Sequence, residues 1–363
     1  MIPLTIGTLV DAPDRPAVID GSRFNRHTFW CGQSGSGKTY ALGVVLEQLL
    51  LETELPMGIL DPNADFVQLD RTREDADPAQ AARLQETDIR VFHSSTAEEP
   101  QLRARYVDLS VRSQAAVGRL DPIADEEEYN ALLHLDKRAE HYDQVGFLDN
   151  LFASDDPARR RLGMRIDNLQ ILKWPLWSLG RASVVDVLDE RPRVTVLDVG
   201  GFSHTGEPQA AALCVLEHLW QRRMERRPLL IVIDEAHNFC PPVARNDIEQ
   251  QLIEQIIQIA AEGRKFGLWL FLSTQRPTKI HPNVLSQCDN LGLMRMNAPR
   301  DLAEIADVFG FVPAAVLEQS PTFRKGEALF AGGFSDEPQL VRVGKRLTVE
   351  GGGDLAVEAR ASA

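Results

Sequence analysis

The chain has 363 residues, of which 44% are hydrophobic and 25% are charged, and it carries a formal net charge of −14. This length suits one domain enlarged by an insertion, and the composition is ordinary for a globular protein. The negative charge argues against a protein that coats nucleic acid with its whole surface, but it leaves room for a local basic ring.

The N-terminus and the cysteines narrow the class of protein further. The stretch MIPLTIGTLVDAP lacks a basic start, its apolar run is short for a signal peptide, and no run in the chain approaches the roughly 20 apolar residues of a membrane span. We therefore expect a cytoplasmic protein with no membrane partner. The cysteines lie far apart, which predicts neither a zinc site nor a disulfide framework: Cys31, Cys214, Cys240 and Cys288.

Short apolar runs predict strands that are buried on both faces. In chain order they are HTFWC, MGIL, IRVF, VTVLDV, LLIVID, LWLFLST and LGLMRM. Continuous apolar runs of this length are typical of a parallel sheet. Helical spacing follows the first run at Leu42, Val45 and Leu49, and it also precedes LWLFLST, where Gly263 is a natural helix stop. The alternation predicts a doubly wound α/β core, with an amphipathic helix beginning at Lys38.

Two segments depart from this alternation. DEEEYNALLHLDKRAEH and DDPARRRLGMRIDNLQILKWPLW have helical patterns without intervening strands, which predicts a mainly helical insertion. The end of the chain, TVEGGGDLAVEARASA, has a glycine run and few apolar residues, which predicts a flexible tail. The predicted organisation is a short N-terminal extension (1–22), the first part of the core (23–110), the insertion (111–190), the second part of the core (191–345) and the tail (346–363).

The stretch GQSGSGKT carries the strongest functional pattern, because it matches the phosphate-binding loop (P-loop) G-x-x-x-x-G-K-[ST]. The glycines let backbone amides turn toward a β-phosphate. Lys38 supplies charge to the β- and γ-phosphates, and the Thr39 hydroxyl is a ligand for Mg²⁺. The helix that follows directs its positive end at the same anion. ATP and Mg²⁺ are therefore the predicted cofactors, and the predicted ATP-binding residues are Gly32, Gln33, Ser34, Gly35, Ser36, Gly37, Lys38 and Thr39.

Polar residues after two later strands predict the rest of an ATPase site. Asp234 ends an apolar strand, where it can hold a water of the Mg²⁺ shell, and Glu235 can orient and polarise the attacking water. Gln275 follows LWLFLST, so it can contact the γ-phosphate or the lytic water, or simply be satisfied by backbone. Arg264 follows a predicted helix end. It can complement the helix dipole, or act as an arginine finger on a neighbouring subunit's γ-phosphate.

Several of these stretches together resemble one protein family. RHTFWCGQSGSGKT, DPNADF, IVIDEAHNF, EGRKFGLWLFLSTQRP and VLSQCDNLGLMRMNAPRDL are similar to the HerA branch of the HerA/FtsK superfamily of ring-forming, ATP-driven DNA translocases. The likeness spans residues 23–62 and 192–335. It implies a RecA-like P-loop core that assembles as a homo-hexamer with ATP between subunits. It also implies that Arg264 is the trans arginine finger, that Gln275 is a sensor and that Arg26 lies near the subunit boundary.

Two departures from the family pattern bear on these expectations. Family members usually carry a β-barrel before the ATPase core, which helps to build the ring and to dock a nuclease. Few residues precede the P-loop strand here, so we expect the barrel to be lacking. The family pattern D-P-H-G-[DE] reads DPNAD in this chain, from Asp61 to Asp65. The acidic positions remain, and Asp61 is predicted to support the metal shell.

The resemblance favours a motor that translocates or unwinds double-stranded DNA through a hexameric pore, together with a nuclease or another effector. The loops VARND and RPTKIHPN are expected to face the pore, and they offer Arg245 and Lys279 for phosphate contacts, with Arg276 and His281 nearby.

Two other functional classes stay open. One is an ATPase switch that regulates a bound effector, for example in defence against foreign DNA, without moving DNA. The other is a nucleotide-binding scaffold without turnover, which Glu235 and Gln275 disfavour.

Overall fold

The structure is a computed structural model that describes residues 1–135, 144–178 and 182–352. Within these ranges one mixed sheet of eleven strands forms the centre of the molecule. The strands are β1 (Pro3–Leu9), β2 (Pro16–Asp20), β3 (His27–Cys31), β4 (Met57–Asp61), β5 (Ile89–His93), β6 (Val194–Asp198), β7 (Leu229–Ile233), β8 (Leu268–Thr274), β9 (Cys288–Met294), β10 (Glu327–Gly332) and β11 (Gln339–Val343).

Helices cover the sheet. They are α1 (Lys38–Glu52), α2 (Pro78–Gln85), α3 (Val111–Val117), α4 (Glu126–Leu133), α5 (Gln144–Phe152), α6 (Pro157–Asn168), α7 (Val184–Glu190), α8 (Glu207–Gln221), α9 (Asp247–Glu262), α10 (Pro282–Leu285), α11 (Pro299–Val308) and α12 (Ala314–Leu317). None of the helices in the described ranges has the length and apolarity that crossing a bilayer requires.

The sheet has a parallel part and an antiparallel part. Its strand order is β2-β1-β11-β10-β9-β3-β8-β7-β4-β6-β5. The strands from β9 to β5 in this order pair in parallel, whereas β10, β11, β1 and β2 pair antiparallel. Each of the apolar runs in the sequence forms one of the parallel strands, so the predicted RecA-like α/β core is confirmed. Parallel strands share a carboxyl edge, where the functional loops meet.

The first 22 residues belong to this sheet and are not a separate extension. β1 pairs with β2 and with β11, and Leu4, Ile6 and Ile19 are buried. The side chains of β1 alternate between exposed and buried positions at its start, as expected for an antiparallel strand with one solvated face. The predicted boundary at residue 22 is therefore wrong. That the family's N-terminal barrel is lacking stays a prediction.

Helix α1 begins at Lys38 as predicted, but it is not amphipathic. Its buried residues surround the helix and include Gly43 and Glu47. One face packs on the sheet, and the C-terminal segment 346–352 crosses another. A Cβ atom on Gly43 would lie 2.6 Å from Nε of Arg346, so glycine at position 43 leaves the space that the Arg346 side chain occupies. The helix is covered on several sides because a distant part of the chain returns to it.

The predicted flexible tail is therefore wrong for residues 346–352, and residues 353–363 lie outside the described ranges. Arg346 and Thr348 are fully buried. The carboxylate of Glu47 accepts hydrogen bonds from the backbone N–H groups of Leu347 and Thr348, both at 2.8 Å, and from the Thr348 hydroxyl at 2.5 Å. A buried carboxylate needs such partners, and these three donors attach the segment to α1.

Residues 111–190 contain α3 to α7 and, in their described part, no strand of the sheet. Residues 136–143 of the first predicted helix in this region lie outside the described ranges. The region is tied to the core at α8, where Glu217 accepts hydrogen bonds from the hydroxyls of Ser110 and Ser113 at 2.8 and 2.7 Å. Trp174 stacks on His204, which lies in the loop after β6. These contacts attach the helical region to the outside of the sheet.

The first prediction concerns the pH dependence of stability. His27 is fully buried, its Nδ1 accepts a hydrogen bond from the backbone N–H of Leu270 at 2.9 Å, and burial lowers its pKa from 6.5 to about 4. Between these pH values the unfolded chain binds a proton that the folded chain does not, so stability falls as the pH falls from 6.5 toward 4. The full effect is roughly 3 kcal/mol.

Urea denaturation of the wild type and of His27→Asn across this pH window measures the effect. Since the variant cannot titrate at this position, the stability advantage of the wild type should shrink as the pH is lowered. An advantage that is constant from about pH 7.5 to 4 would contradict the prediction.

The second prediction concerns the attachment of the C-terminal segment. Thr348→Val removes one donor to the buried Glu47 carboxylate, so we expect a loss of about 1–3 kcal/mol in the free energy of unfolding. Thr5→Val, at an exposed position of β1, is the matched control and should change stability little. Equal unfolding midpoints for the two variants would show that the segment is not held in this way.

Candidate nucleotide-binding site

The P-loop joins β3 to α1 and lines a cavity of about 930 Å³. Gly35 and Gly37 have φ values of 75° and 92°, a region that residues with side chains rarely adopt. The backbone N–H of Gln33 donates to the carbonyl of Arg295 at 2.9 Å, and that of Gly326 donates to Ser36 at 3.0 Å. The loop is therefore held by neighbours on both sides, at the positive end of α1, where an anion is stabilised.

Lys38 connects this loop to the two neighbouring strand ends. Its Nζ lies 3.0 Å from Oδ1 of Asp234, 3.1 Å from Oε1 of Glu235 and 3.0 Å from the hydroxyl of Ser273. Burial favours the neutral amine, but the charges of Asp234 and Glu235 outweigh it and raise the pKa of Lys38. The predicted lysine and acidic pair are thus brought together, and the lysine is fully charged.

Glu235 has a strained backbone and an ionised side chain. Its φ of 44° and ψ of 47° are left-handed, which is costly for a residue with a side chain and is typical of functional sites. Burial raises the pKa of Glu235, but a hydrogen bond with His237 and the charge of Lys38 together lower it to about 2. The carboxylate can therefore accept a hydrogen bond from a water molecule at any physiological pH.

His237 was missed by the sequence analysis. Its Nδ1 lies 3.2 Å from Oε2 of Glu235 and 3.1 Å from Oγ1 of Thr274, so it bridges the ends of β7 and β8. Gln275, the next residue after Thr274, lines the cavity together with Lys38 and Glu235. The position of His237, two residues after the acidic pair, could have indicated its contact with Glu235. Its contact with Thr274 depends on the pairing of β7 with β8 and could not be predicted from the sequence.

Two of the predicted metal residues, Asp61 and Asp234, form a carboxylate cluster with Asp65, which the sequence analysis did not select as a ligand. Ligand atoms of Asp61, Asp65 and Asp234 lie within 4.8 Å of one another. Burial and the neighbouring carboxylates raise the pKa of Asp65 to about 7, and burial is also the main cause that raises the pKa of Asp61 to about 6. Oδ2 of Asp234 is buried and has no hydrogen-bond partner among the described residues. Crowded carboxylates are donors that Mg²⁺ prefers, and the predicted ligand Thr39 lines the same cavity as Asp65.

Within this cluster Asp61 also has a structural role. Its carboxylate accepts hydrogen bonds from the backbone N–H groups of Asn63, Asp65 and Phe66 at 3.2, 3.0 and 2.7 Å. Asp61 thus stabilises the turn after β4, and its role in the metal shell stays a prediction. Asp65, which the same turn presents, lines the cavity. Asp65, the fifth residue of the DPNAD stretch, therefore has a carboxylate that is better placed than that of Asp61 to contact a ligand in the cavity.

The wall of the cavity beyond the P-loop comes from residues that the sequence analysis did not select. They are Tyr40, Lys325, Gly326, Glu350, Gly351 and Gly352. A Cβ atom on Gly351 would lie 2.0 Å from the carbonyl oxygen of Ala64, and the Gly351 N–H donates to the carbonyl of Asp65 at 3.1 Å. The glycines near the C-terminus are thus needed for close packing against the turn after β4.

The predicted trans finger, Arg264, and the predicted boundary residue, Arg26, lie away from the cavity. Arg264 precedes β8 and Arg26 precedes β3, so both are at the amino edge of the parallel strands, whereas the P-loop is at the carboxyl edge. The five residues of β3 separate the two edges by about 17 Å. An arginine side chain cannot span this distance, and neither residue reaches the P-loop of its own chain.

The two DNA-pore candidates lie in loops at the carboxyl edge. Arg245 precedes α9 and pairs with the buried carboxylate of Glu249, with Nη2 2.5 Å from Oε1. Lys279 is exposed in a turn after β8. The backbone N–H of His281 donates to the carbonyl of Cys240 at 2.9 Å, which ties the two loops together.

Comparison with known proteins identifies relatives of this chain. Two relatives named as HerA double-strand break repair helicases match short regions. That of Pyrococcus furiosus is 33% identical over 116 residues, which are 32% of this chain and 20% of the relative. That of Methanocaldococcus jannaschii, named as probable, is 32% identical over 131 residues, which are 36% of this chain and 25% of the relative. The chain thus spans about a quarter of these relatives or less.

Solved structures share the fold at low identity. VirB4 of Thermoanaerobacter pseudethanolicus has a TM-score of 0.60 and 15% identity, and the match covers 93% of this chain and 96% of that one. The bacterial conjugative coupling protein TrwBΔN70 has a TM-score of 0.56 and 13% identity, and the match covers 94% of this chain and 88% of that one.

A family model described as "Helicase HerA, central domain" matches residues 4–212, from within β1 to within α8. This match covers more than half of the chain and includes the P-loop and the turn that presents Asp65. The chain therefore belongs to the family of the HerA central domain, as the resemblance of its motifs predicted.

Proposed function

We propose that the chain is an ATP-hydrolysing ring motor of the HerA/FtsK type that translocates or unwinds double-stranded DNA. ATP and Mg²⁺ are bound by one protomer, and Arg264 of the next protomer completes the site. The observation that supports this proposal is the separation of Arg264 and Arg26 from their own P-loop by the whole length of β3. An arginine this far from the P-loop of its own chain can assist hydrolysis only at the nucleotide site of a neighbouring protomer.

The residues around the cavity have distinct tasks in the proposed reaction. Lys38 exchanges its contacts with Asp234 and Glu235 for the β- and γ-phosphates. Glu235, thereby released, accepts a hydrogen bond from the attacking water and orients that water in line with the γ-phosphorus. Mg²⁺, when bound, would neutralise charge at the phosphates, and the residues suited to hold it are Thr39, Asp234, Asp65 and Asp61. Gln275 lies where it can contact the γ-phosphate or the water.

A closed ring with ATP between protomers requires the two edges of the sheet to face each other across a subunit interface. A hexamer is the expected number of protomers. The linked loops at the carboxyl edge would line the central pore, where six copies of Lys279 would form a basic ring in an otherwise acidic protein. A nuclease or another effector is the expected partner, and the cytoplasm is the expected compartment.

The second candidate is an ATPase switch that regulates such an effector without moving DNA. One contact favours it. The guanidinium of Arg245 is already paired with the buried carboxylate of Glu249, so it offers less charge to a DNA phosphate. DNA-stimulated hydrolysis would support the motor, whereas slow hydrolysis that is indifferent to DNA would support the switch.

The third prediction tests the shared site by subunit mixing. Arg264→Ala should lower kcat by about a thousandfold, because the transition-state charge loses its guanidinium. Lys38→Ala should also be inactive. A mixture of the two should recover part of the activity, since a Lys38→Ala protomer still offers Arg264 to the intact P-loop of its neighbour. Lys265→Ala, on the same turn as Arg264, is the control and should keep full activity.

Full activity of Arg264→Ala, or a mixture as inactive as its components in a ring that still assembles, would contradict this proposal. Sizing of each mixture by light scattering separates a failure to assemble from a failure to hydrolyse.

The fourth prediction concerns DNA. Lys279→Glu should abolish the stimulation of ATP hydrolysis by linear double-stranded DNA and leave basal hydrolysis unchanged, because Lys279 does not line the nucleotide cavity. Arg15→Glu reverses an exposed charge in the turn between β1 and β2 and should leave the stimulation intact. Stimulation that is equal in both variants would argue against Lys279 as a DNA contact.

A further inference from the structure

Arg26 and Arg264, which come from distant parts of the chain, meet at one carboxylate. Asp289, the second residue of β9, has its Oδ2 2.8 Å from Nη1 of Arg264 and 4.0 Å from Nε of Arg26. β3 pairs in parallel with both β8 and β9, so the amino ends of these three strands lie side by side. The three charged groups therefore form a cluster, which we call the arginine pair and its carboxylate.

We propose that Asp289 is a positioning residue that holds Arg26 and Arg264 in the orientation in which they reach the nucleotide of the neighbouring protomer. This inference rests on the proposed trans role of Arg264. It gives a role to a residue that lies in the family-like stretch VLSQCDNLGLMRMNAPRDL but to which neither the motifs nor the resemblance assigned one.

The backbone of Asp289 is fixed, so its side chain has a defined origin. The carbonyl oxygen of Asp289 accepts a hydrogen bond from the N–H of Gly333 at 3.2 Å. A Cβ atom on Gly332 would lie 2.1 Å from the same oxygen, and Gly332 has a φ of 103°. The next residue, Asn290, is fully buried and donates to the carbonyl of Arg23 and to the hydroxyl of Thr28, both at 3.1 Å. Asp289 therefore sits on a rigid strand end.

The side chains of the cluster are by contrast accessible to a partner. Those of Arg26, Arg264 and Asp289 are 37%, 35% and 44% exposed. Oδ2 of Asp289 is itself buried beneath the guanidinium groups and has no aligned hydrogen bond among the described residues, so its contact with Arg264 is mainly one of charge. A contact of this kind orients a guanidinium and still lets it exchange the carboxylate for a more highly charged phosphate.

Electrostatics explains why a carboxylate is needed at this point. Two guanidinium groups beside one carboxylate leave one net positive charge, whereas without it they repel each other and diverge. Each long side chain also has many rotamers, and restricting them beforehand reduces the ordering that the transition state requires. An exposed ion pair contributes little to stability, so the effect of Asp289 should be on turnover and not on folding.

The fifth prediction is that Asp289→Asn lowers kcat by about tenfold to a hundredfold. KM for ATP should stay close to that of the wild type, because Asp289 is remote from the cavity of its own chain. Asp289→Glu retains the charge and should keep most of the turnover. Glu262→Gln removes a negative charge from the same edge, where Glu262 pairs with Lys265 and not with the arginines, and it is the matched control.

Subunit mixing identifies the chain through which Asp289 acts. A mixture of Asp289→Asn with Lys38→Ala should recover activity, since the Lys38→Ala protomer supplies a wild-type arginine pair and its carboxylate. A mixture of Asp289→Asn with Arg264→Ala should not, because neither protomer then offers a positioned finger. Thermal unfolding of Asp289→Asn near the wild-type midpoint shows that the variant is folded.

The outcomes separate this inference from the proposed function. If Arg264→Ala is not rescued by Lys38→Ala, the shared site itself is wrong. If Arg264→Ala is rescued but Asp289→Asn turns over at the wild-type rate or faster, or loses activity that Lys38→Ala does not restore, or if the Asn and Glu variants are equally impaired, Asp289 does not position the arginines.

Discussion

Parallel pairing of buried strands is the constraint on which this molecule depends. It places the carboxyl ends of β3, β7 and β8 at one edge of the sheet. The P-loop, the acidic pair and Gln275 therefore meet there, although they are far apart in the sequence. The same pairing places Arg26, Arg264 and Asp289 at the other edge. In the proposed ring these two edges are the halves of one ATPase site, which cannot meet within a single chain and which assembly through the edges would unite.

At the carboxyl edge the electrostatics is unusually concentrated. A buried lysine is charged because two carboxylates contact it, and Glu235 is charged because Lys38 and His237 contact it. The aspartates beside them have raised pKa values because burial and mutual repulsion disfavour their charged forms. Such an arrangement favours a ligand that brings both phosphates and a cation. The phosphates would pair with Lys38, and the cation would compensate the crowded aspartates.

The C-terminal segment links folding to the nucleotide site. Arg346, Leu347 and Thr348 attach to α1, the helix that presents the P-loop lysine, and Gly351 packs on the turn that presents Asp65. The segment therefore contacts both sides of the cavity. Its removal would expose the buried carboxylate of Glu47 as well as one wall of the nucleotide pocket, so stability and nucleotide affinity are expected to depend on the same few residues.

The sequence by itself determined the parallel strands, the P-loop and the acidic pair. These features depend on residues that are neighbours in the chain: apolar runs long enough for a buried strand, glycines where the backbone must turn, and carboxylates directly after a strand. Only the tertiary structure decided the rest. The antiparallel strands β1 and β2 bury one face and give a weaker sequence pattern. The glycines near the C-terminus have the composition of a linker, and only their packing against the turn after β4 shows that they are part of the fold. The contacts of His237, Asp65 and Asp289 arise from strand order, which places groups far apart in the chain a few ångströms from one another.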